Sequence, residues 1–187
     1  MNSNSIQIFQ KNWAFTSADA QKTQITTGSF GPCYVVTFAS KGFAAMAHID
    51  DNTEVKSMKV IFNKFLENSV ELKNVKVIIL GGWKDFPESF KWGKKVVKRI
   101  NKAGFETVST KNMYSKKTLT VFQEMIGITP AEVPNHYHFG ALIDAKTGKT
   151  FLMKERKLGL DEEQDARVKQ FIGEYGPDAV VPLSQIV

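Results

Sequence analysis

The chain has 187 residues, of which 42% are hydrophobic and 24% are charged, and its formal net charge is +6. This length suits one domain with a sizeable core, and the apolar share is ordinary for a globular protein. No stretch is long and apolar enough for a transmembrane helix, and the sequence contains no low-complexity tract or internal repeat.

Signals for export and for nucleic-acid binding are both missing from the sequence. The first residues, MNSNSIQIFQKNWAF, lack a basic region followed by an apolar one, so we expect no Sec signal peptide. The only cysteine, Cys33, cannot form an internal disulfide, which fits a reducing, cytoplasmic compartment. The basic stretch at 84–117 is typical of the solvated face of an amphipathic helix. Because no recognised nucleic-acid motif accompanies it, we predict no nucleic-acid partner.

The first half of the chain predicts strands followed by a helix. Residues 1–24 indicate a polar lead-in with an edge strand at SIQIF. Strands at 33–39 and 43–49 follow, joined by a turn at Ser40-Lys41-Gly42. The stretch DNTEVKSMKVIFNKFLENS predicts a helix capped by Asn52 or Thr53. Its apolar stripe comprises Val55, Met58, Ile61, Phe62, Phe65 and Leu66.

The second half predicts a βαβ unit at 75–110 followed by antiparallel strands. VKVIILGGW indicates a buried strand, a helix begins near Pro87 and ends before Gly104, and FETVST forms the next strand. Strands at KTLTVFQEMIG and in the hairpin HYHFGALIDAKTGKTFLMKE precede a late helix at DEEQDARVKQFIGEYG. This order predicts an α+β fold: a layered sandwich with a mixed, largely antiparallel sheet core and flanking helices. The helix that begins near Pro87 is expected to turn four residues inward: Phe90, Val96, Val97 and Ile100.

The hairpin at 33–49 brings a thiol towards an imidazole. If Ser40 and Lys41 form a two-residue turn, Cys33 pairs with His48, and directly opposed residues share a sheet face with Cβ atoms about 4.5–5.5 Å apart. A bulge at Gly42 would shift this register by one residue. A neutral imidazole at that range can take the thiol proton and create a nucleophile.

Attack of that nucleophile on an amide needs donors for the oxyanion and a group that orients the histidine. The glycine-bearing loop TGSFGPC can supply donors, and because Pro32 has no N–H, the backbone amide of Cys33 is the main candidate. Thr26, Thr27 or Ser29 can orient the imidazole. The alternative interpretation is a buried cysteine that acts as a small hydrophobe beside a core histidine whose hydrogen bonds are satisfied.

Several motifs resemble those of one family, in order, over residues 25–156. TTGSFGPC…GFAAMAHID resembles the TLGxGSC…GGxxHxxLP region of CheD, the chemoreceptor glutamine deamidase family, and more distantly the SGC…H core of cytotoxic necrotizing factor toxins. SMKVIFNKFLENSVELKNVKVIILGGW is similar to the CheD helix and strand that end in GGA. WGKKVVKRINKAGFETVSTKNM and HFGALIDAKTGKTFLMKE are similar to its later helix and closing hairpin.

The resemblance implies a cysteine hydrolase that acts on glutamine side chains of a protein substrate. Cys33 occupies the position of the family nucleophile, His48 that of the base, and Thr27 that of the third polar residue. The implied reaction converts glutamine to glutamate and ammonia through a thioester and requires no cofactor and no metal. If an amine replaced water in the second step, the same site would act as a transglutaminase.

The chain also departs from the family pattern. Pro32 replaces the serine of GSC, and Asp50 and Asp51 replace an apolar wall just after the base. We therefore expect substrate recognition at Asp50, Asp51 and Trp83, which follows the double glycine, and in a C-terminal helical extension at 157–187. The predicted oxyanion loop contains Gly28, Ser29 and Gly31.

Two biological settings fit these expectations. A chemoreceptor substrate in the bacterial cytoplasm fits the family directly. A toxin-like effector that reaches a host cell without a Sec signal fits the departures and the likeness to the necrotizing factors.

Two other functions compete with deamidation. In HYH, alternation places His136 and His138 on one face of a strand, where they and Cys33 could form a zinc site of the type found in YfiH-like hydrolases. The other is a non-catalytic binding module on the same fold. Thiol reactivity separates the three: a deamidase is expected to have a fast, low-pKa cysteine, a zinc site a protected one, and a scaffold a slow one.

Overall fold

The computed structural model describes residues 5–30, 33–82, 87–111, 139–154 and 184–185. Within these ranges, no helix combines the length and the apolar character needed to cross a membrane. The predicted strand at 117–127 and the predicted helix at 161–176 lie outside the described residues.

The described residues form two sheets and two α-helices. The four-stranded sheet has the order β1-β3-β8-β9, and the six-stranded sheet has the order β10-β2-β5-β4-β6-β7. The strands are β1 (Ser5–Ile8), β2 (Asn12–Ser17), β3 (Gln24–Phe30), β4 (Tyr34–Ser40), β5 (Phe43–Ile49), β6 (Lys76–Gly81), β7 (Thr107–Lys111), β8 (Phe139–Asp144), β9 (Lys149–Lys154) and β10 (Ser184–Gln185). The helices are α1 (Lys59–Glu67) and α2 (Pro87–Lys102).

The six-stranded sheet separates two apolar cores. The core between the sheets contains Ile25 and Ile143 from the small sheet and Met46 from the large one. The core on the other side contains sheet residues such as Phe38 together with helix residues such as Phe65. The molecule is therefore layered as sheet, sheet and helices, which confirms the predicted α+β sandwich.

The β4–β5 hairpin forms as predicted, but with a different register. Ser40 pairs with Phe43, and Val35, not Cys33, lies opposite His48. The two-residue turn is Lys41-Gly42 rather than Ser40-Lys41, and Gly42 adopts a positive φ of 81° that favours glycine. The predicted pairing of Cys33 with His48 was wrong by two residues, a shift that keeps both on the same face.

The N-terminal residues contribute more than the predicted edge strand. Strand β1 does lie at the edge of the small sheet, where it pairs with β3 in parallel. Strand β2, which the sequence did not predict, pairs antiparallel with β5 along its whole length. Because Trp13 and Ala14 are buried in different cores, β2 is an integral strand of the large sheet.

The two helices agree with the prediction in type but differ in detail. A 3₁₀ turn at Val55–Met58 precedes α1, and neither this turn nor α1 has a side-chain cap, so the predicted cap at Asn52 or Thr53 was wrong. Leu66, expected in the apolar stripe, is 52% exposed. Helix α2 connects β6 to β7 along the chain, and these two strands are parallel neighbours in the sheet, which confirms the βαβ unit. Phe90, predicted to face inward, is 39% exposed.

Candidate active site

His48 lies in the middle of the large sheet and faces the small one. It pairs with Asn12 of β2 and Val35 of β4, and its side chain shares a face with Met46 in the inter-sheet core. Across the gap, Thr27 of β3 turns inward and is only 1% exposed. The Thr27 Oγ1 atom is 2.8 Å from His48 Nδ1, so a hydrogen bond joins the two sheets.

An irregularity in β3 allows two of its residues to contact the same imidazole. The pairing of β3 with β8 shifts between Thr27 and Phe30. In a regular strand, residues three apart point to opposite faces, but an extra residue resets this alternation. Both Thr27 and Phe30 are consequently buried, and the Phe30 ring packs edge-on against His48 with centroids 6.4 Å apart.

Cys33 immediately precedes β4 and lies on the same side of the sheet as His48. Val35 lies opposite His48, and Cys33 comes two residues before Val35. Cys33 and His48 are therefore diagonal neighbours on one face of the sheet. Cys33 is half-buried against the inter-sheet core and is a free thiol. The thiol and the imidazole are not hydrogen-bonded to each other, and His48 Nε2 has no hydrogen-bond partner among the described residues.

Burial keeps both groups neutral at physiological pH. Burial, together with the charges of Asp50 and Asp51, raises the pKa of the Cys33 thiol to about 12, against the opposing charge of Lys11. Burial lowers the pKa of His48 to about 4, against the opposing charge of Asp50. The sequence predicted a low-pKa cysteine for a deamidase, whereas the pKa of this thiol is raised. The reactivity of the free thiol therefore does not separate a deamidase from a binding module, and turnover of a substrate has to do so.

A buried ion pair adjoins this site that sequence reasoning missed. Lys11 Nζ lies 3.5 Å from Asp50 Oδ2, and both side chains are 7% exposed. Lys11 has a positive φ of 67°, unusual for a residue with a side chain, and its backbone N–H donates to the His48 carbonyl at 2.6 Å. A lysine between two polar residues in QKN gave no sequence signal for burial.

The Asp50 carboxylate is already engaged by the protein. It accepts hydrogen bonds from the Gln10 side chain at 2.7 Å, the Asn52 backbone at 3.1 Å and the Thr53 hydroxyl at 2.9 Å. The Gln10 hydrogen bond ties the segment between β1 and β2 to Asp50, which directly follows β5. Asp51, in contrast, is exposed and available to contact a substrate.

The predicted oxyanion loop is mostly strand. Gly28 and Ser29 lie within β3, and Gly31 lies outside the described residues, as does Trp83 of the predicted recognition surface. The Cys33 carbonyl accepts a hydrogen bond from the Gly82 backbone at 3.2 Å. This bond anchors the Cys33 main chain to the end of β6.

The zinc alternative involves residues that the structure does not describe. His136 and His138 lie in the undescribed range 112–138. Among the described residues, no three His, Cys, Asp or Glu side chains are grouped so that they could hold a metal ion.

Comparisons with known proteins do not assign the chain to a family. No family model matches the chain, and no curated protein matches it. Among solved structures, the hypothetical protein YfiH of Bacillus licheniformis aligns with a TM-score of 0.42 and 9% identity, over 53% of this chain and 49% of YfiH. YlmD of Geobacillus stearothermophilus aligns with a TM-score of 0.42 and 10% identity, over the same shares.

The chain thus spans about half the length of these two proteins. YfiH is also the type of protein that the zinc alternative invoked. A likeness at this level assigns neither a function nor a site residue to the chain.

Proposed function

We propose that the chain is a cysteine-dependent amidohydrolase that deamidates a glutamine side chain of a protein substrate. The observation that carries the proposal is the 2.8 Å contact of Thr27 Oγ1 with His48 Nδ1. When Nδ1–H donates to the threonine oxygen, the lone pair of the neutral ring is on Nε2, the atom without a described partner. That tautomer makes His48 a base on the side of the ring away from Thr27.

The neutral ground states of both groups determine the order of proton transfers. The Cys33 thiol loses its proton to His48 Nε2 as Sγ attacks the glutamine carbonyl carbon, so no free thiolate accumulates. The imidazolium then protonates the departing nitrogen, the C–N bond breaks, and ammonia leaves a thioester. His48 next removes a proton from water, which attacks the thioester, releasing glutamate and restoring the thiol.

The diagonal placement of Cys33 and His48 requires a small approach before this transfer. Catalytic hydrogen bonds are often long in the free enzyme and shorten when substrate binds. The two residues share a face of the sheet, so a rotation of the Cys33 side chain can shorten the distance between Sγ and Nε2. Asp50, whose charge favours the protonated imidazole, supports the imidazolium that forms during the reaction.

The experiment incubates the protein with bacterial and host-cell lysates and measures the release of ammonia. Mass spectrometry of the lysate proteins then detects the gain of about one dalton that accompanies conversion of glutamine to glutamate. Cys33→Ser and His48→Gln should each remove nearly all turnover, because the two residues act as a unit. Equal modification of a lysate component by wild type and Cys33→Ser would contradict the proposal, and the absence of any modification by wild type would favour a binding module. Release of ammonia with an amine incorporated instead of water would indicate transglutamination.

Thr27 is a positioning residue in this proposal, and its variants test the orientation. Thr27→Ala should lower kcat by one to two orders of magnitude with little change in KM, because it holds the ring without touching substrate. Thr27→Ser, which keeps the hydroxyl, should restore most of the loss. Thr26→Ala is the matched control, since the adjacent side chain points to the opposite face of β3. A larger loss at Thr26 than at Thr27 would contradict the geometry.

A further inference from the structure

A cavity of about 690 Å³ lies on the face of the large sheet opposite the candidate active site. Helix α2 forms one wall, and the ends of β4, β6 and β7 form the floor. Its volume falls within the range of about 300–1,000 Å³ that is usual for small-molecule sites. None of the residues placed in the candidate active site lines it.

The floor of the cavity is apolar, and contacts with α2 hold the Tyr34 side chain in place. Ile79 and the Tyr34 ring contribute to it, and both are largely buried. The Tyr34 hydroxyl donates to the Ser89 carbonyl at 3.0 Å, and its ring packs against Trp92 with centroids 5.4 Å apart. A Cβ at Gly93 would clash with the Tyr34 hydroxyl, so the glycine allows helix and ring to approach closely.

One face of α2 supplies both apolar and cationic groups to the wall. Phe90 and Val97 present apolar surface, and the Phe90 ring is 39% exposed. The cations Lys94, Lys98 and Lys102 follow at four-residue intervals, so they are aligned along the same face. Lys94 Nζ lies 4.7 Å from the Phe90 ring centroid, which holds that ammonium at the cavity wall.

The charge of the lining is of one sign. Among the described lining residues, three are lysines and none is an aspartate or a glutamate. A neutral apolar ligand would gain nothing from the lysines, and a small inorganic anion would leave the apolar floor uncovered. A ligand that uses both features has an apolar body and an anionic group.

From this combination we propose that the cavity binds a small organic anion with an aromatic or aliphatic body. The body lies on Tyr34 and Ile79, and the carboxylate, sulfonate or phosphate lies at the lysine row of α2. The proposal does not depend on the reaction proposed for Cys33, because the two sites are on opposite faces of the sheet.

A matched pair of fluorescent probes tests both halves of the proposal. 8-Anilinonaphthalene-1-sulfonate carries an apolar body and an anionic group, and N-phenyl-1-naphthylamine has a similar body without the charge. The sulfonate probe should bind the full-length protein saturably at one site and more tightly than the neutral probe. Lys98→Glu should weaken the sulfonate probe by about tenfold or more and leave the neutral probe almost unchanged.

Lys95→Glu is the matched control, because Lys95 is exposed on the same helix but does not line the cavity. Equal weakening by Lys95→Glu and Lys98→Glu would overturn the proposal, since it would mean that the probe is attracted by the overall charge of the protein.

Val97→Trp should fill the cavity and abolish binding of both probes. Thr110→Trp, at an exposed lining position, serves the same purpose if the first variant does not fold. Binding that survives in a folded filling variant would also overturn the proposal.

Discussion

Cys33 and His48 are both held in their neutral forms by burial, and this determines how the thiol should behave without substrate. With a thiol pKa of about 12, the rate of alkylation by iodoacetamide should rise continuously with pH rather than level off near neutrality. Asp51→Asn should increase the rate at a fixed pH by about twofold, because the charge of Asp51 raises the thiol pKa and is screened at an exposed position. Asp19→Asn, also exposed, is the control. Intact-mass kinetics would measure both, and a plateau near pH 7 would contradict the neutral thiol.

His48 should also make the fold sensitive to acid. Its pKa is lowered from 6.5 to about 4, so between these values the unfolded chain binds a proton that the folded chain does not. Stability is therefore present above about pH 6.5 and is lost as the pH falls through 4, with a slope of up to about 1.4 kcal/mol per pH unit. His48→Gln removes this titration and should flatten the acid side of the profile. Urea unfolding of wild type and His48→Gln at several pH values measures how the unfolding free energy of each depends on pH. The same pH dependence in both proteins would contradict a buried neutral histidine.

At the scale of elements, the β4–β5 hairpin determines whether the thiol and the imidazole share a face. Its turn residue Gly42 has a φ of 81°, and an added Cβ would meet only Ala18 at an ordinary 3.6 Å. Gly42→Ala should therefore cost about 1 kcal/mol in unfolding free energy, from backbone conformation alone. Lys41→Ala, at the exposed neighbouring position, should change stability little. A null effect of Gly42→Ala in urea unfolding would mean that the turn has another conformation.

The hairpin also shows what sequence patterns can and cannot specify. Alternation and the Ser40-Lys41-Gly42 turn predicted both strands, but three polar or small residues in a row do not say which two form the loop. The irregularity between Thr27 and Phe30 depends on pairing with β8, more than a hundred residues away, so no local pattern in TTGSF reveals it. The sequence left Thr26, Thr27 and Ser29 open as contacts of the imidazole, and in the structure Thr27 makes the hydrogen bond to His48.

At the scale of the whole molecule, the Lys11–Asp50 pair connects the crossing between the two sheets to the end of β5. Lys11→Met should lower the unfolding free energy by about 3 kcal/mol or more, because it leaves the buried Asp50 charge without its cation. Lys11→Met combined with Asp50→Asn should recover part of this loss. Lys73→Met removes the exposed pair with Glu71 and should leave stability nearly unchanged. Equal effects of the two single variants would contradict a buried pair.

The layered arrangement was accessible from the sequence, whereas this ion pair was not. Apolar runs such as VKVIILGGW and amphipathic helices follow from periodicity, so they predict the sandwich. Burial of Lys11 depends on a positive φ and on a carboxylate almost forty residues later, and charged residues are normally assigned to the surface. For the same reason β2, which alternates weakly in NWAFTS, was not recognised as an integral strand.

The packing around Tyr34 has a consequence for how the sequence can diverge. Gly82, just after β6, and Gly93, within α2, both abut the Tyr34 hydroxyl, and a Cβ at either position would clash with it. A mutation at one glycine is therefore tolerated only if residue 34 becomes smaller first. Related chains should keep all three residues or exchange them together, so positions 34, 82 and 93 are expected to covary although they belong to three different segments.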